Sequence, residues 1–132
     1  MTTMRDVMTA APQVIDCKTP IRDAENIMIN LGARHLPVTV DGIVESIVSD
    51  RDIKRFTLPA HRAQYQDDYL VKDICRALVY LADVDDPVDK VLRVMADRHI
   101  GSVLVLEEGE LVGIFTENDA CRLFAEFLSA SG

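Results

Sequence analysis

Two strings in this chain set a carboxylate three residues after a hydroxyl: Ser49-x-x-Asp52 and Thr116-x-x-Asp119. Each follows an apolar, β-rich run and opens a run with helical spacing. The hydroxyl therefore falls where a helix begins, and the carboxylate at the third helical position. That is close to a capping box, in which the two side chains satisfy two otherwise orphaned N–H groups, although Glu or Gln is the usual acid. A helix N-terminus also draws anions, through its free N–H groups and its dipole. Capping and ligand binding both account for these four residues, and one does not exclude the other. Arg34 and His35 stand at the entry to a further β-rich run. The guanidinium fork matches phosphate oxygens, and its charge does not titrate away. A surface ion pair for Arg34 and a half-buried, satisfied imidazole for His35 explain the same residue types. Arg51 either joins that basic patch or sits on a solvated helix face.

Other reactive arrangements fail on context. Gly101, Gly109 and Gly113 fall at strand ends and in a hairpin, so no glycine-rich loop between strand and helix cradles phosphate. No serine sits in a nucleophile elbow, and the chain is expected not to be an enzyme. The acids Asp67-Asp68 and Asp83, Asp85, Asp86 read as solvated loops or as weak sites for a divalent ion. With 3 histidines, and Cys17, Cys75 and Cys121 scattered, neither a zinc site nor a disulfide framework is expected. Free thiols fit a reducing cytosol, and the predicted localisation is cytoplasmic. A net charge of −8 disfavours nucleic acid as a partner. No apolar stretch reaches bilayer-spanning length, and no signal-peptide core opens the chain.

The elements that must position these residues occur twice, because the sequence repeats itself at an offset of 67 residues. In that frame Asp16 meets Asp83, Pro20 meets Pro87, Met28 meets Met95, Val38 meets Val105, Gly42 meets Gly109 and Asp52 meets Asp119. A repeat of this kind fixes the architecture before any other reading. Two copies are too few for a solenoid and suit one compact body with a pseudo-twofold axis. Each copy reads as β-α-β-β-α. Val14 and Ile15 precede a helix capped by Thr19-Pro20, whose Ile21, Ala24, Ile27, Met28 and Leu31 make one buried stripe ending at Gly32. Leu36–Val40 and Ile43–Val48 flank Asp41-Gly42, a strong hairpin signal. The second copy repeats the order, with a strand over 78–81, a helix from Val88 and strands around Glu108-Gly109. A closing helix carries Leu123, Phe124, Phe127 and Leu128. The strand residues Val14, Pro37, Val38, Ile47, Leu81, Leu104 and Ile114 are expected in the core. The predicted boundaries are 4–56 for the first repeat, 57–70 for a connector and 71–128 for the second, with Met4–Met8 and Val71–Cys75 as matching leaders. Arg98-His99 imitates Arg34-His35 but stands 64 residues on, out of frame. The true counterparts of Arg34 and His35 are Gly101 and Ser102.

Gly-Ala-Arg-His-Leu-Pro-Val (32–38) with Ser-Asp-Arg-Asp-Ile (49–53) resembles a cystathionine-β-synthase-type (CBS) domain. So does Ile-Gly-Ser-Val-Leu-Val (100–105) with Gly-Ile-Phe-Thr-Glu-Asn-Asp (113–119). In tandem they resemble the CBS pair called a Bateman module, of mixed α/β (α+β) class. The resemblance implies a regulatory module with clefts between the repeats for adenosine-containing ligands: AMP, ADP, ATP, NAD or S-adenosylmethionine. It implies that Asp52 and Asp119 accept the ribose hydroxyls, with Ser49 and Thr116 beside ribose or phosphate. It also implies that Arg34 and His35 face phosphate. No cofactor is required, and the effector is a partner protein in trans.

The copies differ where the ligand would lie. The second brings no cation at Gly101 and Ser102, and the first has Ser46, beside Glu45, where the second has Gly113. A side chain at 46 is expected to narrow one cleft, and at most one site to bind a phosphorylated adenosine well. A structural dimerisation module with empty clefts is the alternative. Under both readings a homodimer is expected, covering apolar helix faces at Ile53, Phe56, Phe124 and Phe127.

Overall fold

The computed structural model describes residues 2–56, 69–75 and 79–131. Most of the expected connector, over 57–68, and the start of the expected strand at Leu78 lie outside the described residues. In chain order the elements are α1 (Met4–Val7), β1 (Thr9–Ala10), β2 (Ile15–Asp16), α2 (Ile21–Leu31), β3 (His35–Val40), β4 (Ile43–Ser49) and α3 (Asp50–Phe56). A short 3-10 turn (Val71–Asp73) follows, then β5 (Tyr80–Asp83), α4 (Val88–Arg98), β6 (Ser102–Glu107), β7 (Glu110–Thr116) and α5 (Glu117–Ser131).

The chain forms two compact units. A continuous unit spans Gln13–Val79, and a split unit joins Met1–Pro12 to Tyr80–Gly132. In the continuous unit the sheet runs β2-β3-β4, with β2 parallel and β4 antiparallel to β3. In the split unit it runs β1-β7-β6-β5, with β5 parallel and β7 antiparallel to β6. The 67-residue frame holds down to irregularities: the β3/β4 ladder slips between Val38 and Thr39, and the β6/β7 ladder between Val105 and Leu106. Both hairpins turn on two residues with positive φ, Asp41 (52°) with Gly42 (81°) and Glu108 (50°) with Gly109 (82°). Such turns match the right-handed twist of the flanking strands.

The helix α2 begins one residue later than the sequence suggests, because Pro20 is extended (φ −60°, ψ 144°) and serves as the cap itself. Gly32 ends it in the left-handed region, with the Ala33 N–H donating to the Met28 carbonyl at 3.0 Å. In α4 the equivalent bond runs from Ile100 to Met95 at 2.9 Å, and His99 takes the left-handed position. His99 is thus a helix terminator, whereas His35 opens β3, so the two Arg-His strings are structurally unrelated.

Ile21, Ala24 and Met28 are buried on α2, and Val88, Val91 and Met95 on α4. Three residues expected to face inward, Leu31, Val14 and Leu81, are corrected. Leu31, at the frayed end of its stripe, is exposed, as is Val14, which precedes the two-residue β2. Leu81 is exposed because edge strand β5 turns Ala82, not its neighbour, into the core. Phe124, Phe127 and Leu128 are exposed on α5, which has no buried residue. Conversely, Ile53 is 1% exposed and so is not on an outer face, while Phe56 is half-buried and packs edge-on against Tyr69 at 4.9 Å.

Each leader packs into the unit built mainly from the other repeat. Met4, 0% exposed, lies among Val84, Val88, Val103 and Phe115 in the split unit. Val71 lies among Ile15, Ile21, Val38 and Ile53 in the continuous one. The backbone repeats the arrangement: Met4 and Arg5 donate to the Asp86 and Val84 carbonyls, as Val71 and Lys72 donate to those of Thr19 and Cys17.

Candidate functional site

At the end of β4, His35 lies opposite Ser49 in the ladder, and the Asp50 N–H donates to the Arg34 carbonyl at 2.9 Å. The turn between strand and helix therefore gathers Arg34, His35, Ser49 and Asp52 at one junction. Ser49 N–H donates to Asp52 Oδ2 at 2.9 Å, and Asp52 N–H donates back to Ser49 Oγ at 3.0 Å. The split unit has the same turn. Thr116 N–H donates to Asp119 Oδ2 at 2.9 Å, and Asp119 N–H to Thr116 Oγ1 at 3.3 Å. Both carboxylates thus act as the acid of a capping box, with Asp reaching where Glu usually does because the turn is tight.

Capping occupies one carboxylate oxygen. In Asp119 the other, Oδ1, lies 3.8 Å from Arg122 Nη1. Asp52 is buried and Asp119 half-buried, so both are held in fixed geometry, while Arg34 is exposed and His35 half-buried. The split unit offers Gly101 and Ser102 in place of the two basic residues, so Thr116 and Asp119 stand there without them.

Ser46 packs within its own unit. It is 5% exposed, and its hydroxyl donates to Cys75 Sγ at 3.2 Å within the continuous unit. In the split unit the matching pair is Gly113 and Met8, and a Cβ on Gly113 would run into the Met8 side chain, 2.8 Å from its Cγ. Small against long, and medium against medium, fill the same space. The leaders' contact residues, 67 apart, carry this information, but only to a reader who knows that leader and strand touch.

The acidic turn before α4 is spent on its own backbone. Asp83 Oδ1 accepts from the Asp85 N–H at 2.9 Å and Asp86 Oδ2 from the Asp83 N–H at 3.0 Å. Asp67 and Asp68 lie outside the described residues, and among those described no group of three metal-ligating side chains is placed to hold an ion. No described helix is long and apolar enough to cross a membrane. Arg5 bonds Glu107 and holds its carboxyl below the usual carboxylate range, through that hydrogen bond first and the guanidinium charge second. An open groove of about 430 Å³ runs between α4 and α5, floored by Leu92, Met95 and Ile100 with Cys121 and Glu117 at its rim.

The strand–helix–hairpin–helix unit, twice present with a capped acidic turn, is that of the CBS domain. The family model matches residues 4–58 and 71–126, and the chain belongs to this family as a tandem pair. Hypoxic response protein 1 of Mycobacterium tuberculosis is 28% identical over 127 residues, 96% of this chain and 87% of that one. Its crystal structure, with two coordinated zinc ions, matches at a TM-score of 0.74 over 92% and 98% of the two chains, at 28% identity. The CBS domain pair of protein MJ0100, in complex with 5′-methylthioadenosine and S-adenosyl-L-methionine, matches at 0.80 over 96% and 98%, also at 28% identity.

Proposed function

We propose that this chain is a non-catalytic ligand sensor that binds an adenosine-containing compound at its strand-to-helix junctions and signals to a partner protein in trans. The observation that carries the reading is the pair of capped turns. At 67-residue spacing, each holds an aspartate in place through one carboxylate oxygen. Such a carboxylate suits a ribose diol. Ser49 and Thr116 lie beside it, and at one junction Arg34 and His35 suit a phosphate. The relative with bound 5′-methylthioadenosine and S-adenosyl-L-methionine supports an adenosine ligand, with AMP, ADP, ATP and NAD as the phosphorylated candidates. Signalling requires that the ligand bind two arrangements of the protein with different affinity.

Calorimetry against these compounds tests it. Asp119→Ala and Asp52→Ala are expected to weaken binding at least tenfold and to cost about 1 kcal/mol of stability through the lost cap. Asp119→Asn, which keeps an acceptor for the cap, is expected to recover the stability but not the affinity. No heat with any compound would end the reading.

A second reading, a structural dimerisation module, draws on exposed Phe124, Phe127 and Leu128. Light scattering distinguishes it: a homodimer indifferent to every adenosine compound favours this second role.

A further inference from the structure

The two junctions carry opposite charge: both have two acids, but Arg34, Arg51 and Lys54 of the first are Gly101, Asn118 and Cys121 in the second, which leaves Glu117 without a nearby cation. Glu117 follows Thr116 as Asp50 follows Ser49, and its N–H donates to the Gly101 carbonyl at 3.0 Å as that of Asp50 does to Arg34. Asp50 is neutralised by Lys54 four residues on, at 3.7 Å. The residue four beyond Glu117 is Cys121, and among the described residues Glu117 has no ion-pair partner. Its carboxylate instead packs over Gly101, and a Cβ there would sit against Oε1 and 3.4 Å from Cδ. The acid thus fills the place where the Arg34 side chain starts in the other unit. Around Ser49 and Asp52 the cations Arg34, Arg51, Lys54 and Arg55 outnumber Asp50 and Asp52; around Thr116 the acids Glu117 and Asp119 outnumber Arg122. Arg34, like Glu117, has no ion-pair partner among the described residues, so neither charge is cancelled locally.

We infer that Glu117 is a specificity-determining residue that makes the Thr116/Asp119 junction reject phosphate and take an adenosine compound with an uncharged or cationic 5′ group. The Ser49/Asp52 junction, through Arg34, takes the phosphorylated one. This rests on the adenosine-binding reading above. A like charge next to phosphate is repulsive, and a partly exposed site screens it without abolishing it.

The test compares adenosine with AMP, which differ by the phosphate alone, by calorimetry on the full chain. Wild type is expected to bind AMP at one junction and adenosine at the other. Glu117→Gln is expected to strengthen AMP at the second junction about tenfold, the effect of removing one opposing charge. Adenosine is expected to stay within about twofold in that variant, and Arg34→Gln to weaken AMP about tenfold at the first junction. Added salt should shrink the wild-type preference. If both compounds bind but Glu117→Gln leaves their ratio unchanged, the charge assignment is overturned and the adenosine reading stands. If neither binds wild type, both are overturned.

Discussion

Residue 46 and its counterpart, Gly113, show how the size of one side chain is matched to a partner far away in the chain. Ser46 meets Cys75, and Gly113 meets Met8, so the volume at each position is matched to a leader residue some 30 or 105 positions away in the chain. Gly113→Ser is expected to destabilise the split unit by about 1–3 kcal/mol, as overpacking of a tight core does. Met8→Cys in the same chain should restore most of the loss, because it recreates the Ser46–Cys75 pair. Thermal melts of the two single variants and the double variant measure the coupling. Additive losses would show that the two residues do not share a space. The acidic turns were legible in the sequence at this scale, since Ser-x-x-Asp and Thr-x-x-Asp encode a local geometry. Glu117 was not. Its meaning comes from Gly101, just beyond the end of the β6/β7 ladder, and from the missing lysine at Cys121, and neither is a motif.

At the scale of elements, the hairpins and helices follow from short-range chemistry: Asp-Gly and Glu-Gly turns, Pro20 and Pro87 before α2 and α4, and apolar stripes facing inward. The sequence pointed to these directly. It was less informative about which stripe residues stop short of the core. Leu81 and Val14 are as apolar as their buried neighbours, and only strand length and edge position expose them. The end of α4 carries a testable cost. Gly32 adopts the left-handed conformation freely, whereas His99 does so at φ 55° with a Cβ in the way. His99→Gly is expected to stabilise the chain by about 1 kcal/mol and raise Tm by about 4 °C. An unchanged or lower melting temperature would mean that the imidazole contributes something in the groove that offsets the backbone strain.

Across the molecule, repeats in the sequence and units in space are different partitions of the same chain. The 67-residue frame predicts boundaries in which each leader heads its own repeat, but Met4 and Val71 are buried in the opposite ones. No local signal announces that exchange, because both leaders offer equivalent apolar side chains to equivalent receiving grooves. Met4→Ala is expected to cost about 2–5 kcal/mol, the range for emptying a buried long side chain. Hydrogen exchange should locate the loss over 80–131 and spare 15–53. Equal loss in both regions would show that the two units open together.

The exchange of leaders also fixes an order of events on the ribosome. The continuous unit is drawn from residues 13–79 alone, so all of its chain is available once that stretch has emerged. The segment carrying Met4 is made earlier, yet its receiving groove does not exist until the last strand and helix have been translated. For that interval an apolar segment waits in solvent, so any holdase that guards this protein during synthesis should grip the segment around Met4 and release it once β7 and α5 have emerged.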